Sequence, residues 1–160
     1  MKAVCVFEKN NQYNKLGIEG EILFVQDKPN DDTKITISLC GFKPHSTHAI
    51  HIHEKSDFSN GCMSTGPHYN PYHKHHGNVF IHRKNRHVGD LINNITSDGD
   101  GVVFIMFQDD LVSLFPPFSV VDRAIVIHDG VDDLGLGANE ESLKTGNAGG
   151  RAACAKIQRI

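Results

Sequence analysis

The sequence has no long hydrophobic run, no concentrated basic segment and no stretch that sustains a helical period, and each absence excludes a class of protein. A bilayer-spanning helix needs about 20 apolar residues, so we expect no membrane span and no membrane partner. The formal charge is −3, and nucleic-acid binding needs a concentrated positive footprint. We therefore expect no nucleic-acid partner. Residues 1–7 lack the pattern of a secretory signal, which predicts a soluble, cytoplasmic protein.

Apolar and polar residues alternate with a period of two in several segments, which predicts strands. The length of 160 residues fits one domain, residues 1–160. Residues 90–95 and 101–107 read as a hairpin joined by residues 96–100. Eight short strands and two long loops, without internal repeats, predict an all-β fold: an eight-stranded antiparallel sandwich or flattened barrel.

Residues 68–90 concentrate metal-binding side chains in a loop rich in Gly, Pro and Asn. His68, His76, His87 and Asp90 are the nitrogen and oxygen donors that zinc takes in a tetrahedral site, and four protein ligands make such a site structural. The alternative is a solvated polar loop in which surface histidines cluster. His82 is an additional histidine in the same loop.

Three further histidines lie on predicted strands. His51 and His53 alternate with inward isoleucines, which places both imidazoles on the opposite face of one strand, and His128 takes the same position on another. An ordinary polar strand face is the alternative reading, although such faces more often carry Thr, Lys or Glu.

The four cysteines allow more than one interpretation. Cys5 and Cys40 lie in apolar segments, where thiols are expected to be buried. A bond between Cys62 and Cys154 would join the metal loop to the last strand, but a reducing cytosol favours free thiols. These residues alone do not decide between the two states.

Together these motifs resemble the copper/zinc superoxide dismutases of the intracellular eukaryotic type. The resemblance spans roughly residues 40 to 155. The stretches that carry it are His51-Ile52-His53-Glu54, Gly61-Cys62, Gly66-Pro67-His68-Tyr69-Asn70-Pro71, His76-Gly77, His87-Val88-Gly89-Asp90-Leu91, Asp132-Asp133-Leu134-Gly135 and residues 139–154. The resemblance implies an eight-stranded Greek-key barrel with a zinc and disulfide loop and an electrostatic loop.

The resemblance also implies the ligands of two metals. It assigns the copper ion to His51, His53, His68 and His128, and the zinc ion to His68, His76, His87 and Asp90. His68 would bridge both metals. His75 adjoins His76, but the following Gly77 favours His76 as the ligand. Asp132 matches a carboxylate that hydrogen-bonds a ligand of each metal, and Cys62 and Cys154 match an intrasubunit disulfide bond.

The implied activity is the dismutation of superoxide to dioxygen and hydrogen peroxide, an antioxidant reaction. Arg151 matches the cation that orients the substrate beside copper, and Lys144, Glu140 and Glu141 match the charged loop that shapes the electric field. Two non-enzymatic rivals are a metal-binding decoy and a copper or zinc buffer. The decoy would lack a ligand or the arginine, and the buffer would need neither Arg151 nor Asp132.

The chain departs from the family pattern at positions that would guide the substrate and contact protein partners. Gly130 stands where the family commonly has a second guiding lysine, which predicts a weaker salt dependence. The family implies a homodimer, and the segments that match its contact surface carry charges here, on Lys55, Asp122, Lys156 and Arg159. A copper chaperone is a possible partner. Gly150 and Ala152 stand in place of prolines that accompany chaperone dependence in some relatives, which predicts activation without it.

Overall fold

Short extended segments joined by turns form the scaffold in the computed structural model, which describes residues 1–80 and 84–160. His82 therefore lies outside the described residues. The described strands are β1 (Lys2–Phe7), β2 (Glu19–Val25), β3 (Thr33–Cys40), β4 (Thr47–His53), β5 (Ser59–Cys62), β6 (Asn94–Thr96), β7 (Val103–Asp109), β8 (Ala124–His128) and β9 (Arg151–Arg159). They are accompanied by 3-10 helices over Met63–Thr65 and Val88–Asp90 and by α1 (Ser142–Thr145). None of the helices in these ranges has the length and apolar character needed to cross a membrane.

Eight of these strands pair in the order β6-β4-β8-β9-β1-β2-β3-β7. Every pairing is antiparallel, and the sheet curls into a nearly closed barrel. Strands β1, β2 and β3 follow one another directly, whereas β4 crosses over to join β8 on the other half of the sheet. The predicted all-β, eight-stranded fold class is confirmed.

The predicted hairpin over residues 90–95 and 101–107 is wrong. Strand β6 pairs with β4 and strand β7 with β3, at opposite ends of the sheet. The turn between them packs on the β3–β4 connection: Ser97 Oγ donates to the Lys43 carbonyl, and the Phe42 amide donates to the Gly101 carbonyl. A Cβ at Gly101 would come within 2.2 Å of the Phe42 oxygen. This close approach holds the turn against the β3–β4 connection. The prediction was wrong because period-two alternation indicates which residues face the core but does not indicate which strands pair.

The inward faces of the strands build one apolar core. Ile22, Ile37, Ile50 and Ile125 are fully buried in it, and each such side chain contributes about 1.5–3 kcal/mol relative to an exposed position. Strand β4 is buried on both faces from Ala49 to His53, because loops cover the side that His51 and His53 occupy. These two imidazoles therefore lie under loops and away from bulk water.

Candidate metal centre and substrate cavity

Four imidazoles meet on the loop-covered face of β4 and β8. His51 and His53 alternate with inward isoleucines of β4, and His128 ends β8 after a register shift against β9. His68 joins them through a backbone bridge with His53. One ring nitrogen from each lies within 4.8 Å of the others, and all four residues are buried. The structure thus brings together the four histidines that the family resemblance assigned to copper.

Two nitrogens in this cluster have no hydrogen-bond partner. They are Nδ1 of His51 and Nε2 of His68, and both are buried. Burial lowers the pKa of each ring and repulsion from neighbouring imidazoles lowers it further, while Asp132 beside His51 and Asp90 beside His68 offset this only in part. Neutral imidazoles whose free lone pairs point into a shared space provide the donors that copper takes in proteins. The residues present therefore fit a copper ion.

A second cluster surrounds one oxygen of Asp90. Oδ1 lies 3.1 Å from His68 Nδ1, 2.8 Å from His76 Nδ1 and 3.1 Å from His87 Nδ1. A tetrahedral zinc ion with ligands at 2.0–2.1 Å separates its ligand atoms by about 3.3 Å. The observed spacing is slightly tighter than this value, so the four donors fit zinc with little rearrangement. His76 is buried and its neighbour His75 is exposed, which agrees with the choice of His76 from the sequence.

The motif His87-Val88-Gly89-Asp90 forms a tight turn that aims its carboxylate at the cluster. Its last three residues make a 3-10 helix, and Asp90 Oδ2 accepts hydrogen bonds from the amides of His87 and Gly77. A Cβ at Gly89 would lie 2.2 Å from the Ile52 carbonyl oxygen. Glycine is required there because the turn packs directly against the backbone of β4.

Asp132 connects the two clusters. Its Oδ2 accepts from His51 Nε2 at 2.7 Å, and its Oδ1 accepts from His76 Nε2 at 2.8 Å. Burial would raise the pKa of this carboxyl, but the two imidazoles hold it well below its usual range. An ionised carboxylate only accepts hydrogen bonds, so each imidazole donates from Nε2, and Nδ1 is the ring atom left to bind a metal.

Arg151 lies at the start of β9, beside the four-imidazole cluster. Its Nη1 donates to the carbonyls of Cys62 and Met63 and to Thr65 Oγ1, at 2.9–3.2 Å. The guanidinium lines a cavity of about 380 Å³ together with His53, His68 and His128. A small anion entering this cavity meets a fixed positive charge beside the imidazoles.

Comparisons with known proteins agree with this arrangement. A family model described as copper/zinc superoxide dismutase matches residues 18–157. The chain belongs to the copper/zinc superoxide dismutase family. It is 47% identical over 157 residues to a superoxide dismutase [Cu-Zn] of Candida glabrata, covering 98% of this chain and 97% of that protein. It is 46% identical over 141 residues to the enzyme of the same description from Saccharomyces cerevisiae, covering 88% and 90%.

The four cysteines of the chain are in different chemical states. Cys62 and Cys154 form a disulfide bond across 92 positions, as the family resemblance implied. Cys5 is buried, and burial raises the pKa of its thiol. Cys40 is only half-buried, which corrects the expectation of a buried thiol, because it ends β3 where the strand meets solvent.

The charged loop of this family places only one of its three predicted residues at the cavity. Glu141 lines it, whereas Lys144 lines a separate cavity of about 680 Å³ that His87 borders. Lys144 Nζ lies 3.4 Å from a carboxylate oxygen of Glu140. Both side chains are mostly exposed, and such pairs contribute little to stability.

Two asparagines that hold Asp132 carry no recognisable motif. Asn93 Nδ2 donates to Asp132 Oδ2 and to the Gly77 carbonyl, while the Asn94 side chain bonds both backbone groups of Asp132. Asn94 begins the sequence Asn94-Ile95-Thr96, which has the form of a glycosylation acceptor. Its place beside Asp132 gives it a structural role.

A buried ion pair beside His87 also carries no motif in the sequence. Arg86 Nη2 lies 2.7 Å from Asp109 Oδ2, and Arg86 Nη1 donates to the His87 carbonyl. Both side chains are almost fully buried. Removing one partner of such a pair is strongly destabilising, because the other charge is left without compensation. The pair links the loop that carries His87 to the end of β7.

Proposed function

We propose that this chain dismutates superoxide to dioxygen and hydrogen peroxide, with copper held by His51, His53, His68 and His128 and zinc held by His68, His76, His87 and Asp90. The observation that carries the proposal is the position of His68. Its Nδ1 lies in the Asp90 cluster, and its buried, unpartnered Nε2 faces the other histidines. One imidazole therefore offers a nitrogen to each metal. The relatives from Candida glabrata and Saccharomyces cerevisiae are superoxide dismutases [Cu-Zn], which supports the same reaction.

Copper supplies the one-electron chemistry when bound, because it alternates between two oxidation states, whereas zinc has no redox chemistry. Superoxide is oxidised to dioxygen in one half of the cycle and reduced to hydrogen peroxide in the other. The reducing half consumes protons. We assign one proton to His68 Nε2, which delivers it to the nascent peroxide while Nδ1 stays in the Asp90 cluster.

Asp132 holds the two metal sites in fixed positions relative to each other. It fixes the ring orientation and tautomer of His51 and His76, one from each cluster, through hydrogen bonds of 2.7 and 2.8 Å. Such a carboxylate raises the basicity of the ligands it binds. We expect a change in the ligands of one site to alter metal binding at the other site through this residue.

Arg151 orients the substrate in this proposal. Three oxygen acceptors hold its guanidinium at the cavity wall, so little reorganisation is needed when an anion arrives. Focused positive charge raises association rates toward about 10⁸–10⁹ M⁻¹s⁻¹. Lys144, Glu140 and Glu141 modulate the field, and the contact between Lys144 and Glu140 reduces their net effect.

The proposed partners and location extend beyond the site. We propose a homodimer through the surface that carries Lys55, Asp122, Lys156 and Arg159. Lys156 Nζ lies 2.7 Å from Asp122 Oδ1 within one chain, so these two charges need no partner across the interface. Sedimentation at micromolar concentration tests this proposal, and a monomer mass would refute it.

We also propose a cytoplasmic location and copper loading without an obligatory chaperone. The location rests on the match to the intracellular type, and fractionation of the producing cells tests it. The loading proposal rests on Gly150 and Ala152. Protein that stays inactive in copper-replete cells lacking the chaperone would refute it.

Metal analysis combined with a superoxide assay tests the function. We expect reconstituted protein to hold one copper and one zinc per chain, one for each cluster. It should consume superoxide rapidly and lose that activity with a chelator. His76→Ala should lose zinc, whereas the matched control His75→Ala, an exposed neighbour, should keep it. Full metal content without superoxide consumption would favour the metal buffer.

A further inference from the structure

A buried asparagine contacts the carboxylate that connects the two metal clusters. Asn93 Nδ2 donates to Asp132 Oδ2 at 3.0 Å, and the same oxygen accepts from His51 Nε2 at 2.7 Å. All three residues are almost fully shielded from solvent. Hydrogen bonds that share an atom in such a low-dielectric site influence one another more strongly than they do in water. A change at Asn93 should therefore alter the bond that His51 makes.

Each oxygen of Asp132 accepts from one imidazole and one amide. On the zinc side, Oδ1 accepts from His76 Nε2 at 2.8 Å and from the backbone amide of Leu134 at 2.7 Å. On the copper side, the amide belongs to the side chain of Asn93. A backbone amide is present whatever the residue type, whereas a side-chain amide depends on the sequence. The copper side of the carboxylate is therefore the side that a single substitution can change.

We propose that Asn93 is a positioning residue that weakens the hydrogen bond between His51 and Asp132 and thereby raises the reduction potential of copper. The inference rests on the proposed function, which makes His51 a copper ligand. A carboxylate oxygen that accepts a second hydrogen bond presents less negative charge to its first donor. The ring of His51 then gains less electron density from Asp132, and a less basic ligand stabilises Cu(II) less relative to Cu(I).

The backbone of Asn93 holds its side chain between the two clusters. Its amide donates to the carbonyl of Asp90, and its carbonyl accepts from the amide of Ile50, the residue before His51. Its φ is +62°, in the left-handed region that asparagine adopts more readily than most residues. Glycine adopts this conformation without steric cost. Asn93→Gly therefore removes the side-chain amide while the backbone keeps its path.

The same side chain also contacts the loop that follows the zinc ligand His76. Asn93 Nδ2 donates to the Gly77 carbonyl at 3.0 Å, and Asn93 Oδ1 accepts from the Val79 amide at 3.1 Å. A purely structural role would rest on these two bonds, and its loss would lower the affinity for zinc. Neither bond involves the four-imidazole cluster. The reduction potential of copper therefore distinguishes the proposed role from a purely structural one.

The experiment measures the reduction potential of copper in copper- and zinc-loaded protein by redox titration. Loss of a carboxylate partner bonded directly to a ligand costs about 10–100-fold in metal affinity, and Asn93 acts one bond further away. We expect Asn93→Gly to favour Cu(II) over Cu(I) about 3–10-fold more than wild type does, which lowers the potential by about 30–60 mV. The matched control is Asn94→Ala, because the Asn94 side chain bonds the backbone of Asp132 and not its carboxylate. This control should keep the wild-type potential.

An unchanged or higher potential in Asn93→Gly would overturn the inference. If zinc affinity fell at an unchanged potential, the role of Asn93 would be purely structural. Equal shifts in Asn93→Gly and Asn94→Ala would also overturn it, because a displacement of the whole of Asp132 would then explain both. Wild-type protein that binds no copper, or His51→Ala that keeps the wild-type copper affinity, would refute the ligand assignment in the proposed function. Copper affinity measured on the same samples separates that failure from failure of the inference alone.

Discussion

Opening the Cys62–Cys154 disulfide is expected to cost stability. The bond closes a loop of 92 positions, and the chain-entropy relation gives about 4.6 kcal/mol at 25 °C for a loop of that size. Domains are stable by about 5–15 kcal/mol in total. The double replacement Cys62→Ala and Cys154→Ala should therefore remove a large fraction of the stability of the metal-free protein.

Urea titration of the metal-free protein measures the effect, with a chelator present so that metal binding does not contribute. We expect a loss of about 3–5 kcal/mol. Cys40→Ala is the matched control, because Cys40 is a half-buried thiol without a disulfide, and it should lose less than about 1 kcal/mol. A double variant no less stable than this control would refute the entropic reasoning.

The same bond should affect catalysis through Arg151. The Cys62 and Met63 carbonyls hold its guanidinium, and the disulfide anchors that backbone to β9. We expect the metal-loaded double variant to consume superoxide more slowly than wild type at equal metal content. An unchanged rate would show that Arg151 keeps its position without the bond.

Three further predictions concern the metal sites and the substrate path. Asp132→Asn should lower the affinity for each metal about 10–100-fold, because an amide has only one oxygen and cannot accept hydrogen bonds from both His51 and His76. Unchanged affinities in a chelator competition would contradict this prediction. Burial, aided by the charge of His68, lowers the pKa of His128 to about 4 in metal-free protein. As the pH falls below about 6.5, the unfolded chain therefore binds a proton at His128 before the folded chain does. The free energy of unfolding should fall by up to about 3 kcal/mol as the pH drops toward about 4. A urea midpoint that does not change with pH would contradict this prediction. With Gly130 in place of a guiding lysine, the superoxide rate should fall less with ionic strength than in relatives that have the lysine, and an equally steep fall would contradict this.

The sequence predicted those parts of the molecule that depend on local pattern. Alternating isoleucines around His51 and His53 indicated the strand that carries them, and the order of His, Gly and Asp indicated the metal motifs. Their depth was not predictable, because the loops that cover this face come from distant segments. The prediction that β6 pairs with β7 was wrong for a similar reason. A turn that packs on the β3–β4 connection has the same residue types as a hairpin turn.

Residues whose contact partner lies far along the chain could not be identified from the sequence either. Arg86 and Asp109 lie 23 positions apart and carry no motif, yet they form a buried ion pair. Asn93 and Asn94 lie in the segment that was predicted as a hairpin strand, and nothing in the sequence marks their role, because the carboxylate they hold lies 39 and 38 positions later. Only the folded chain brings such pairs together.

The central claim is that superoxide is consumed at copper held by one set of imidazoles while His68 is shared with zinc. Superoxide consumption by His128→Ala tests it most directly, because His128 belongs to the copper set alone. We predict that this variant keeps zinc, loses copper and no longer consumes superoxide. Consumption at the wild-type rate would contradict the account.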